Sequence, residues 1–521
     1  MTLVDILILI LVVQVVHFLG TWKLYKRAGR SAWQAAIPIY NAIVLFSIIK
    51  RPWWWVILMF IPIVQLLMFP VIWVETAKSF GHDDTKDGVL SVVTLGFYLY
   101  YINYFSTNEY QGSRELKAKT KAGETLGSII FAVVAATIVH TYFIQPFTIP
   151  TSSLEKSLYV GDFLFVSKFH YGARTPGTAV ALPMVHDTIP VVKTKSYLNE
   201  PQLPMFRLPG FENVSRNDIV VFNWPVDTVP YFRYSGPESY IKPIDKKSNY
   251  VKRAVGVAGD SLQIIDGKVY TNGKPLQLPE RADLQYSYDV YGENFNMEVL
   301  IDRYEITDGF ARYKNQDKYF AAAISESNLS RFEKSPNVKK LVRNIESIED
   351  TEPNKAIFPN QAKRDWNKDN FGPIYIPEAG KTVDIDVNSI DFYRQIIEVY
   401  EGREMGIDNT ITVKDNQVLL NGEPLTSYTF KQNYYWMMGD NRHNSEDSRY
   451  WGYVPENHVV GKPVFIWLSL DYDKSFPNNI RWDRMFTTVA GEGERVSYLP
   501  YFLIGLVVIF GINYFRKKRK S

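Results

Sequence analysis

The pattern of hydrophobic positions divides the chain into two kinds of sequence. Long apolar runs lie within residues 1–150 and again near the C-terminus, whereas the middle of the chain alternates apolar and polar residues over short distances. A helix of about 17 to 25 apolar residues, rising about 1.5 Å per residue, can cross the hydrocarbon core of a bilayer. The runs that predict membrane-spanning helices are Leu3–Leu19, Trp53–Val74, Val89–Phe105, Leu126–Phe143 and Leu499–Phe515.

Basic residues around these runs predict their orientation. Lysines and arginines cluster at 23–30, 114–121 and 516–520. Such clusters favour the cytoplasmic side, so the N-terminus is expected outside, with residues 147–498 on the outer face. Because positive charge follows the first run, that run is predicted to be an anchor and not a cleaved signal. The shorter run Ala36–Ile49 contains Pro38, which predicts a re-entrant or interfacial segment.

The middle region has the pattern of short strands separated by Gly, Pro, Asn and Asp. Two similar phrases, Val269–Leu276 and Val418–Leu425, each place an Asn-Gly pair between apolar residues, which predicts two β-hairpins. Between them, residues 284–406 are more polar and show helix-like stretches. The fold class predicted is therefore a mainly β domain of antiparallel sheets, with α-helical transmembrane anchors and an inserted mixed subdomain.

The predicted domain organisation follows from these patterns. Its parts are a membrane region with about three spans (1–125), a spanning helix (126–147), the first part of the β domain (148–283), the inserted subdomain (284–406), the second part of the β domain (407–498), a C-terminal span (499–515) and a basic cytoplasmic tail (516–521).

Composition narrows the function. The net charge is only +3, so the overall balance gives no reason to expect nucleic acid as a partner. The chain has no cysteine, which excludes disulfides, thiolate metal sites and cysteine nucleophiles. The compact cluster His82-Asp83-Asp84 is typical of a solvated loop, so no metal and no cofactor are predicted.

Three polar islands stand out in the β region. Ile149–Leu158 contains Ser152 and Ser153 and begins a few residues after the fourth apolar run. Tyr250–Gly256 is an apolar strand pattern that carries two adjacent basic residues, which alternation places on opposite faces. Met438–Gly452 is a dense polar turn between apolar residues. A nucleophile in the first island would lie at the membrane surface.

The sequence leaves the identity of a general base open. A serine hydroxyl needs a base to remove its proton, and histidine usually serves. The chain has seven histidines, so a triad of a serine, His443 and Asp440 or Asp447 is possible. Lysine can replace histidine when burial lowers its pKa, and Lys252 in its apolar strand suits that role. The alternative for Lys252 is that it points to solvent from an edge strand.

The islands resemble the conserved boxes of the signal peptidase I family, which are serine/lysine proteases. The resemblance covers about Thr125–Ser469 without the insertion, and the boxes occur in the family's order. It implies that Ser153 is the nucleophile and Lys252 the general base. The remaining roles implied are an oxyanion donor at Thr151, a serine that orients the base at Ser445, and structural support of the site from Asp447, Arg449, Arg253 and Asp218.

The chain also departs from the family pattern. Leu154 stands where methionine usually follows the nucleophile, and Glu155–Ser157 replace a more apolar stretch. His443 occupies a position that is commonly aspartate, and we interpret it as a bracing residue. The extra spans exceed the usual one or two. None of these differences removes a catalytic group.

The resemblance implies a membrane-bound serine endopeptidase that removes signal peptides from exported preproteins. The expected partners are those signal peptides and the lipid bilayer, without nucleic acid. The expected location is the bacterial inner (cytoplasmic) membrane, crossed several times, with the catalytic domain on the periplasmic or outer face. Two alternatives are an inactive β scaffold and a serine/lysine self-cleaving regulator, although such regulators are soluble and carry DNA-binding segments that this sequence lacks.

Overall fold

The computed structural model describes residues 3–118, 120–229, 239–314, 316–349, 356–361 and 364–519. Lys119 and Lys520, which belong to two of the predicted basic clusters, lie outside the described residues. The chain forms two compact units. The first unit comprises 1–143, 174–207 and 228–246, and the second comprises 144–173, 208–227 and 247–521.

Helices form most of the first unit and occur singly in the second. Their bounds are α1 (Leu3–Arg27), α2 (Tyr40–Ile48), α3 (Trp55–Leu58), α4 (Val64–Ser79), α5 (Thr85–Val93), α6 (Tyr98–Tyr104), α7 (Lys121–Tyr142), α8 (Met297–Tyr304), α9 (Glu326–Glu333), α10 (Ile390–Gln395), α11 (Ser448–Trp451) and α12 (Leu499–Lys518).

Among the described residues, the strands all lie in the second unit. Their bounds are β1 (Ile144–Thr148), β2 (Asp162–Ser167), β3 (Ile219–Asn223), β4 (Asn249–Gly256), β5 (Ser261–Ile265), β6 (Lys268–Thr271), β7 (Lys274–Pro275), β8 (Gln285–Gly292), β9 (Phe310–Arg312), β10 (Lys318–Ser325), β11 (Val338–Arg343), β12 (Phe371–Tyr375), β13 (Thr382–Asp384), β14 (Ile411–Lys414), β15 (Gln417–Leu420), β16 (Glu423–Pro424), β17 (Ser427–Thr429), β18 (Tyr434–Met438), β19 (Val454–Pro455), β20 (Val459–Ser469) and β21 (Thr487–Thr488).

Three helices among the described residues are long and apolar enough to cross a membrane: Val4–Arg27 of α1, α7 and α12. Their apolar side chains are largely exposed, and α12 buries no residue at all. An apolar surface of this extent is stable when lipid surrounds it. The predicted spans Leu3–Leu19, Leu126–Phe143 and Leu499–Phe515 therefore correspond to single helices of spanning length.

The other two predicted spans are wrong as continuous helices. Trp53–Val74 is interrupted between α3 and α4, where Ile63 follows a proline and has a φ of 70°. Val89–Phe105 is interrupted between α5 and α6 at Leu95 and Gly96, whose φ values are 52° and 84°. Left-handed backbone cannot continue a right-handed helix. Hydropathy alone does not register such breaks, so the prediction counted each interrupted run as one span.

The main sheet of the second unit carries the polar islands. Its strands are antiparallel and follow the order β1-β2-β20-β3-β4-β18-β19, with β21 paired to β20. β4 is thus an interior strand, which pairs Lys252 with Val220 of β3 and Arg253 with Met438 of β18. Successive β4 side chains point to opposite faces. Ala254 packs into one apolar core and Val255 into another.

Both predicted Asn-Gly hairpins are confirmed. β6 and β7 join through Asn272 and Gly273, and β15 and β16 through Asn421 and Gly422. All four turn residues have positive φ, between 52° and 90°. That backbone matches the twist of the flanking strands and favours Asn and Gly.

The segment 284–406 divides into two parts in the structure. Its first part forms a separate sheet of order β11-β8-β10-β9 with α8 and α9, around its own core that includes Tyr286, Val290 and Phe332. In the second part, β12 pairs with β5, and α10 packs into the same core as Val255 and Trp436. Polarity along the chain did not reveal this division, because the buried residues of the second part are spaced among charged ones.

Candidate active site

A tight turn after β1 holds Ser153. Residues Ser152–Leu154 form one turn of 3-10 helix, and Leu154 and Leu158 anchor it in an apolar core. The Asn441 amide donates a hydrogen bond to the Ser153 carbonyl over 3.1 Å. A side chain at Gly439 would approach that carbonyl to 2.5 Å, so glycine is needed there. The turn is fixed from both sides, and the Ser153 side chain is 8% exposed.

Lys252 reaches the serine hydroxyl from β4. The distance between Lys252 Nζ and Ser153 Oγ is 2.5 Å. The lysine is 3% exposed, which excludes the alternative of a solvated edge-strand residue. Burial lowers the pKa of Lys252 to about 8, although the nearby Asp447 and Glu446 carboxylates favour the charged form. A neutral amine is therefore accessible near neutral pH.

Arg253 points to the opposite face and pairs with a carboxylate that the sequence did not assign to it. Its Nε and Nη2 donate to the Asp440 oxygens over 2.8 and 2.6 Å, and both side chains are buried. Ser157, which follows the nucleophile turn, donates to the same carboxylate over 2.5 Å. Burial would raise the pKa of Asp440, but Arg253 holds it below its ordinary value. The pair joins the nucleophile turn to the loop after β18.

Asp447 and Arg449 form a second buried pair in that loop. The Arg449 guanidinium donates twice to the Asp447 carboxylate, each over 2.8 Å. Asp447 also accepts from the Gly439 amide over 3.1 Å, and Arg449 donates to the Arg442 carbonyl over 2.6 Å. The resemblance implied that Asp447 and Arg449 support the site. In the structure their contacts hold together the two ends of the loop after β18. Neither residue hydrogen-bonds to the serine–lysine pair.

Three further residues were predicted to belong to the site: Thr151, Ser445 and Asp218. Thr151 is exposed, directly before the nucleophile turn, and its hydroxyl has no hydrogen bond among the described residues. The Ser445 hydroxyl is buried beside Gly439 and also lacks a partner in the described part of the chain. Asp218 accepts from the Tyr171 hydroxyl and the Lys462 ammonium over 2.9 Å each, away from Ser153. Asp218 therefore supports the sheet and does not contact the pair.

His443 is occupied elsewhere. Its Nδ1 accepts from the Ser287 amide over 3.1 Å, so Nε2 carries the hydrogen that is donated to Asp369 over 2.8 Å. Ser153, Asp440 and Asp447 are not among its partners. A triad through His443 is therefore not assembled, and the histidine instead ties the loop to β8 and to the segment before β12.

The first part of the predicted insertion also reaches the nucleophile turn, which sequence reasoning missed. Asp308 accepts from the amides of Asn441 and Asn444 over 2.7 and 3.0 Å, and Asn444 donates to the Ser152 hydroxyl over 3.2 Å. Lys156 pairs with Glu305 over 2.6 Å. In the sequence, only Asn441 and Asn444 of the polar loop hinted at these contacts. Their partner Asp308 is more than 130 positions away along the chain.

Glu155 is a buried carboxylic acid beside the nucleophile. Burial, and then the charge of Asp308, raise its pKa to about 7 from an ordinary 4.5. The folded protein therefore binds a proton that the unfolded chain releases as pH rises from about 4.5 to about 7, and stability falls over that window.

We expect Glu155→Gln to be more stable than the wild type at pH 8, by up to about 3 kcal/mol, since glutamine has no charge to desolvate. Thermal unfolding in detergent at pH 8 and at pH 4.5 measures the difference. The difference should nearly disappear at pH 4.5, where folded wild-type Glu155 holds its proton and the unfolded chain is already about half protonated. A difference that is independent of pH would contradict this explanation.

An antiparallel β domain with a buried serine–lysine contact, in a chain with helices long enough to span a membrane, has the features of a membrane-anchored serine peptidase. The chain belongs to the signal peptidase, peptidase S26, family, whose match covers residues 122–332 and 379–468, more than half of the chain. It is accordingly a signal peptidase I-type serine endopeptidase, which removes signal peptides. Residues 33–113 match a second family, DUF5684, whose function is unknown.

Curated relatives agree with this assignment. The chain is 24% identical to a signal peptidase I of Buchnera aphidicola over 74% of this chain and 89% of the relative. It is 23% identical to that of Haemophilus influenzae over 72% and 80%, and 24% identical to that of Helicobacter pylori over 70% and 92%. The expectation of a signal peptidase I, a mainly β fold and an endopeptidase activity is confirmed.

Proposed function

We propose that Ser153 and Lys252 are the catalytic dyad of this signal peptidase. The observation that carries the proposal is the 2.5 Å contact between the Ser153 hydroxyl and a buried lysine amine whose pKa is lowered to about 8. A serine becomes nucleophilic when an adjacent base is neutral and within hydrogen-bonding distance.

In this mechanism neutral Lys252 takes the Ser153 proton as Oγ attacks the scissile carbonyl. The Ser153 amide and the unpaired Thr151 hydroxyl donate to the oxyanion of the tetrahedral intermediate. Protonated Lys252 then gives its proton to the leaving amine, and the signal peptide remains as an acyl ester on Ser153. Water that Lys252 deprotonates hydrolyses this ester and restores the free serine.

The surrounding residues position these groups. The unpartnered Ser445 hydroxyl is available to accept from the Lys252 ammonium when it forms. The Asp447–Arg449 and Arg253–Asp440 pairs hold the polar loop and the nucleophile turn in register. Asp218 acts at a distance, by fixing β3 to β20.

The substrate is an exported preprotein, whose signal peptide reaches the site from the bilayer. We place the chain in the bacterial inner membrane with its catalytic domain on the periplasmic or outer face. Basic clusters at 23–30 and 114–121 lie on the same side when α1 and α7 both span, and that side is cytoplasmic. The two interrupted runs, 53–74 and 89–105, both lie between α1 and α7. Whether they are counted as two spans or as none, the end of α1 and the start of α7 stay on the same side of the membrane.

The domain division remains part of the proposal. It assigns 1–125 and 126–147 to the membrane region, 148–283 and 407–498 to the catalytic domain, 284–406 to the insertion, 499–515 to the last span and 516–521 to a cytoplasmic tail. Within 284–406, only the part up to β11 forms a sheet of its own, because β12 and α10 pack into the catalytic domain. The bilayer contact of α1, α7 and α12 is supported by their exposed apolar side chains.

The pH dependence of cleavage tests the dyad. Because only neutral Lys252 can accept the proton, kcat/KM should rise about tenfold per pH unit below the lysine pKa and level off above about 8. Cleavage of a purified preprotein, measured between pH 5 and 10, shows this rise of kcat/KM with pH.

Glu155→Gln is the matched control, because Glu155 is the nearby group whose pKa is raised to about 7. The midpoint should stay near 8 in this variant. Two results would contradict the role of Lys252. One is a kcat/KM that stays constant down to pH 5 in the wild type, and the other is a pH profile that loses its midpoint in Glu155→Gln.

A further inference from the structure

The first interrupted run, 53–74, begins and ends at neighbouring positions in space. Arg51 comes just before this run and Glu75 just after it. The Arg51 Nε and Nη2 donate to the Glu75 carboxylate over 2.9 and 2.7 Å. The run is therefore a hairpin, and its turn is the break at Ile63.

The second interrupted run, 89–105, has the same arrangement. His82 lies before it and Ser106 after it, and the distance between the His82 Nε2 and the Ser106 hydroxyl is 2.8 Å. The Asn108 side chain also donates to the Gly81 carbonyl over 3.4 Å. This run too is a hairpin, with its turn at the break before α6.

The base of the first hairpin contacts the segment that leads into α7. The Arg114 Nη2 donates to the Glu75 carboxylate over 2.7 Å, and its Nε donates to the Ser79 hydroxyl over 3.1 Å. The Gln111 amide donates to the Ser79 carbonyl over 2.9 Å. The end of the first hairpin therefore touches the start of the basic cluster 114–121.

The end of α1 and the segment before the first run meet the same base. Arg27 of α1 donates to the Ser106 and Asn108 carbonyls over 3.1 and 3.2 Å. The Tyr110 hydroxyl donates to the Ile48 carbonyl over 2.7 Å. The segments that flank the two runs are thus in direct contact with one another.

These contacts are incompatible with two spanning segments. If each run crossed the membrane once, residues 75–88 and 106–121 would lie on opposite sides of a hydrocarbon core about 30 Å thick. The hydrogen bonds that join these two segments are instead 2.7 to 2.9 Å long. Each run therefore returns to the side from which it starts.

Apolar side chains cover the outside of both hairpins. The most exposed of the large ones have 59 to 76% of their surface accessible, and they are Trp53, Phe60, Val93, Leu95 and Phe105. A patch of this extent is unfavourable in water and stable in lipid. The spanning helix α1 of the same unit presents a similar apolar surface, so the occupant that we assign to the hairpin faces is lipid acyl chains.

The turn of the first hairpin is covered by protein. Ile63 packs with Ala181 and Tyr197, which belong to the segment 174–207 of the same unit. Non-helical backbone is tolerated at membrane depth where protein buries it. Because the segment 174–207 lies on the outer face in the proposed orientation, this turn points away from the side on which the run begins and ends.

The turn of the second hairpin satisfies its own backbone. The Gly96 amide donates to the Ser91 carbonyl over 2.9 Å, and the Phe97 amide donates to the Thr94 carbonyl over 3.0 Å. The Thr94 hydroxyl accepts from the Tyr98 amide over 2.9 Å. These pairs remove the cost of exposing unpaired amides to lipid, which makes the break compatible with a position in the bilayer.

We propose that both interrupted runs are membrane-embedded hairpins that enter and leave the bilayer on the same side. Acyl chains surround their apolar faces, and residues 75–88 face the same side as the basic clusters 23–30 and 114–121. In the orientation of the proposed function, on which this part of the inference rests, that side is the cytoplasm. Two spans would have placed residues 75–88 outside.

Single cysteines test the side of each segment, because the chain has none of its own. Lys86→Cys marks residues 75–88, and two other exposed lysines supply matched controls: Lys117→Cys in the basic cluster and Lys414→Cys on β14. Each full-length variant is treated with a membrane-impermeant maleimide in right-side-out and inside-out membrane vesicles, and full labelling is measured after denaturation. We expect Lys86→Cys and Lys117→Cys to react only in inside-out vesicles, and Lys414→Cys only in right-side-out vesicles.

The failure of the hairpins and the failure of the orientation give different results. Reaction of Lys86→Cys on the side opposite to Lys117→Cys would overturn the hairpins. Reaction of both in right-side-out vesicles would support the hairpins and contradict only the orientation in the proposed function. If Lys86→Cys does not fold, Thr85→Cys marks the same segment at another exposed position.

A further cysteine tests the contact with lipid. Val93 is 74% exposed on the second hairpin. We expect Val93→Cys to stay unreactive in both kinds of vesicle and to react after denaturation, because acyl chains exclude the charged maleimide. Reaction in inside-out vesicles at the rate of Lys117→Cys would mean that water covers this face, and it would overturn the embedding.

Discussion

Lys252→Met is expected to lower kcat/KM for preprotein cleavage by about 10³-fold or more while the protein stays folded. Methionine has a similar length and no charge to desolvate, and Lys252 is almost completely buried against Ser153. Stability should therefore be unchanged or higher, because a buried amine is costly and an apolar side chain is not. Steady-state cleavage of a preprotein and thermal unfolding, measured on the same preparation, check both parts.

Lys318→Met is the matched control for this substitution. Lys318 is also a strand lysine, in β10, where it pairs with Asp289 over 2.7 Å. Its loss should leave cleavage within about twofold of the wild type, because a surface ion pair contributes at most about 1 kcal/mol to stability and Lys318 is not one of the proposed site residues. Wild-type cleavage by Lys252→Met would contradict the dyad.

Arg253→Met is expected to cost about 3 to 5 kcal/mol of unfolding free energy, because it leaves the Asp440 carboxylate buried without its countercharge. Asp440 has no exposed surface, and Arg253 supplies two of its hydrogen bonds. Asp440 also holds Ser157 beside the nucleophile turn, so cleavage should fall together with stability. Denaturant unfolding of the wild type and the variant measures the loss.

Two further variants separate this effect from a general loss of charge. Arg312→Met breaks the pair between Arg312 and Asp317, which are 57% and 66% exposed, and should cost less than about 1 kcal/mol. The double substitution Arg253→Met with Asp440→Leu removes both charges and should recover much of the stability. A cost below about 1 kcal/mol for Arg253→Met alone would mean that the buried pair does not hold the loop.

The resemblance to the signal peptidase I family singled out Ser153 and Lys252 as a pair, whereas the residue pattern alone left the base open; in the structure their side chains are in contact. Ser153 lies in a short polar island after an apolar run, and Lys252 is a charge within an apolar strand pattern. Alternation also placed Arg253 on the opposite face of β4 correctly. Its partner Asp440 is far away along the chain and is brought close only when β4 pairs with β18. Spacing along the chain does not encode such contacts.

The errors of the sequence interpretation have identifiable physical causes. The runs at 53–74 and 89–105 are apolar enough to span a membrane, but residues of positive φ at Ile63 and Gly96 interrupt them. Gly96 is required by a close approach, since a side chain there would meet the Trp73 indole at 2.6 Å. Hydropathy measures transfer into lipid and carries no information on such a contact.

Mapping an acyl adduct tests the assignment of the dyad most directly. A serine-directed acylating inhibitor is incubated with the wild type and with Lys252→Met at pH 8, and the modified peptide is identified by mass spectrometry after digestion. A single adduct on Ser153 in the wild type, formed at least about 10³-fold more slowly in Lys252→Met, is the predicted result. An adduct on another serine, or modification of Ser153 at an equal rate without Lys252, would contradict the assignment.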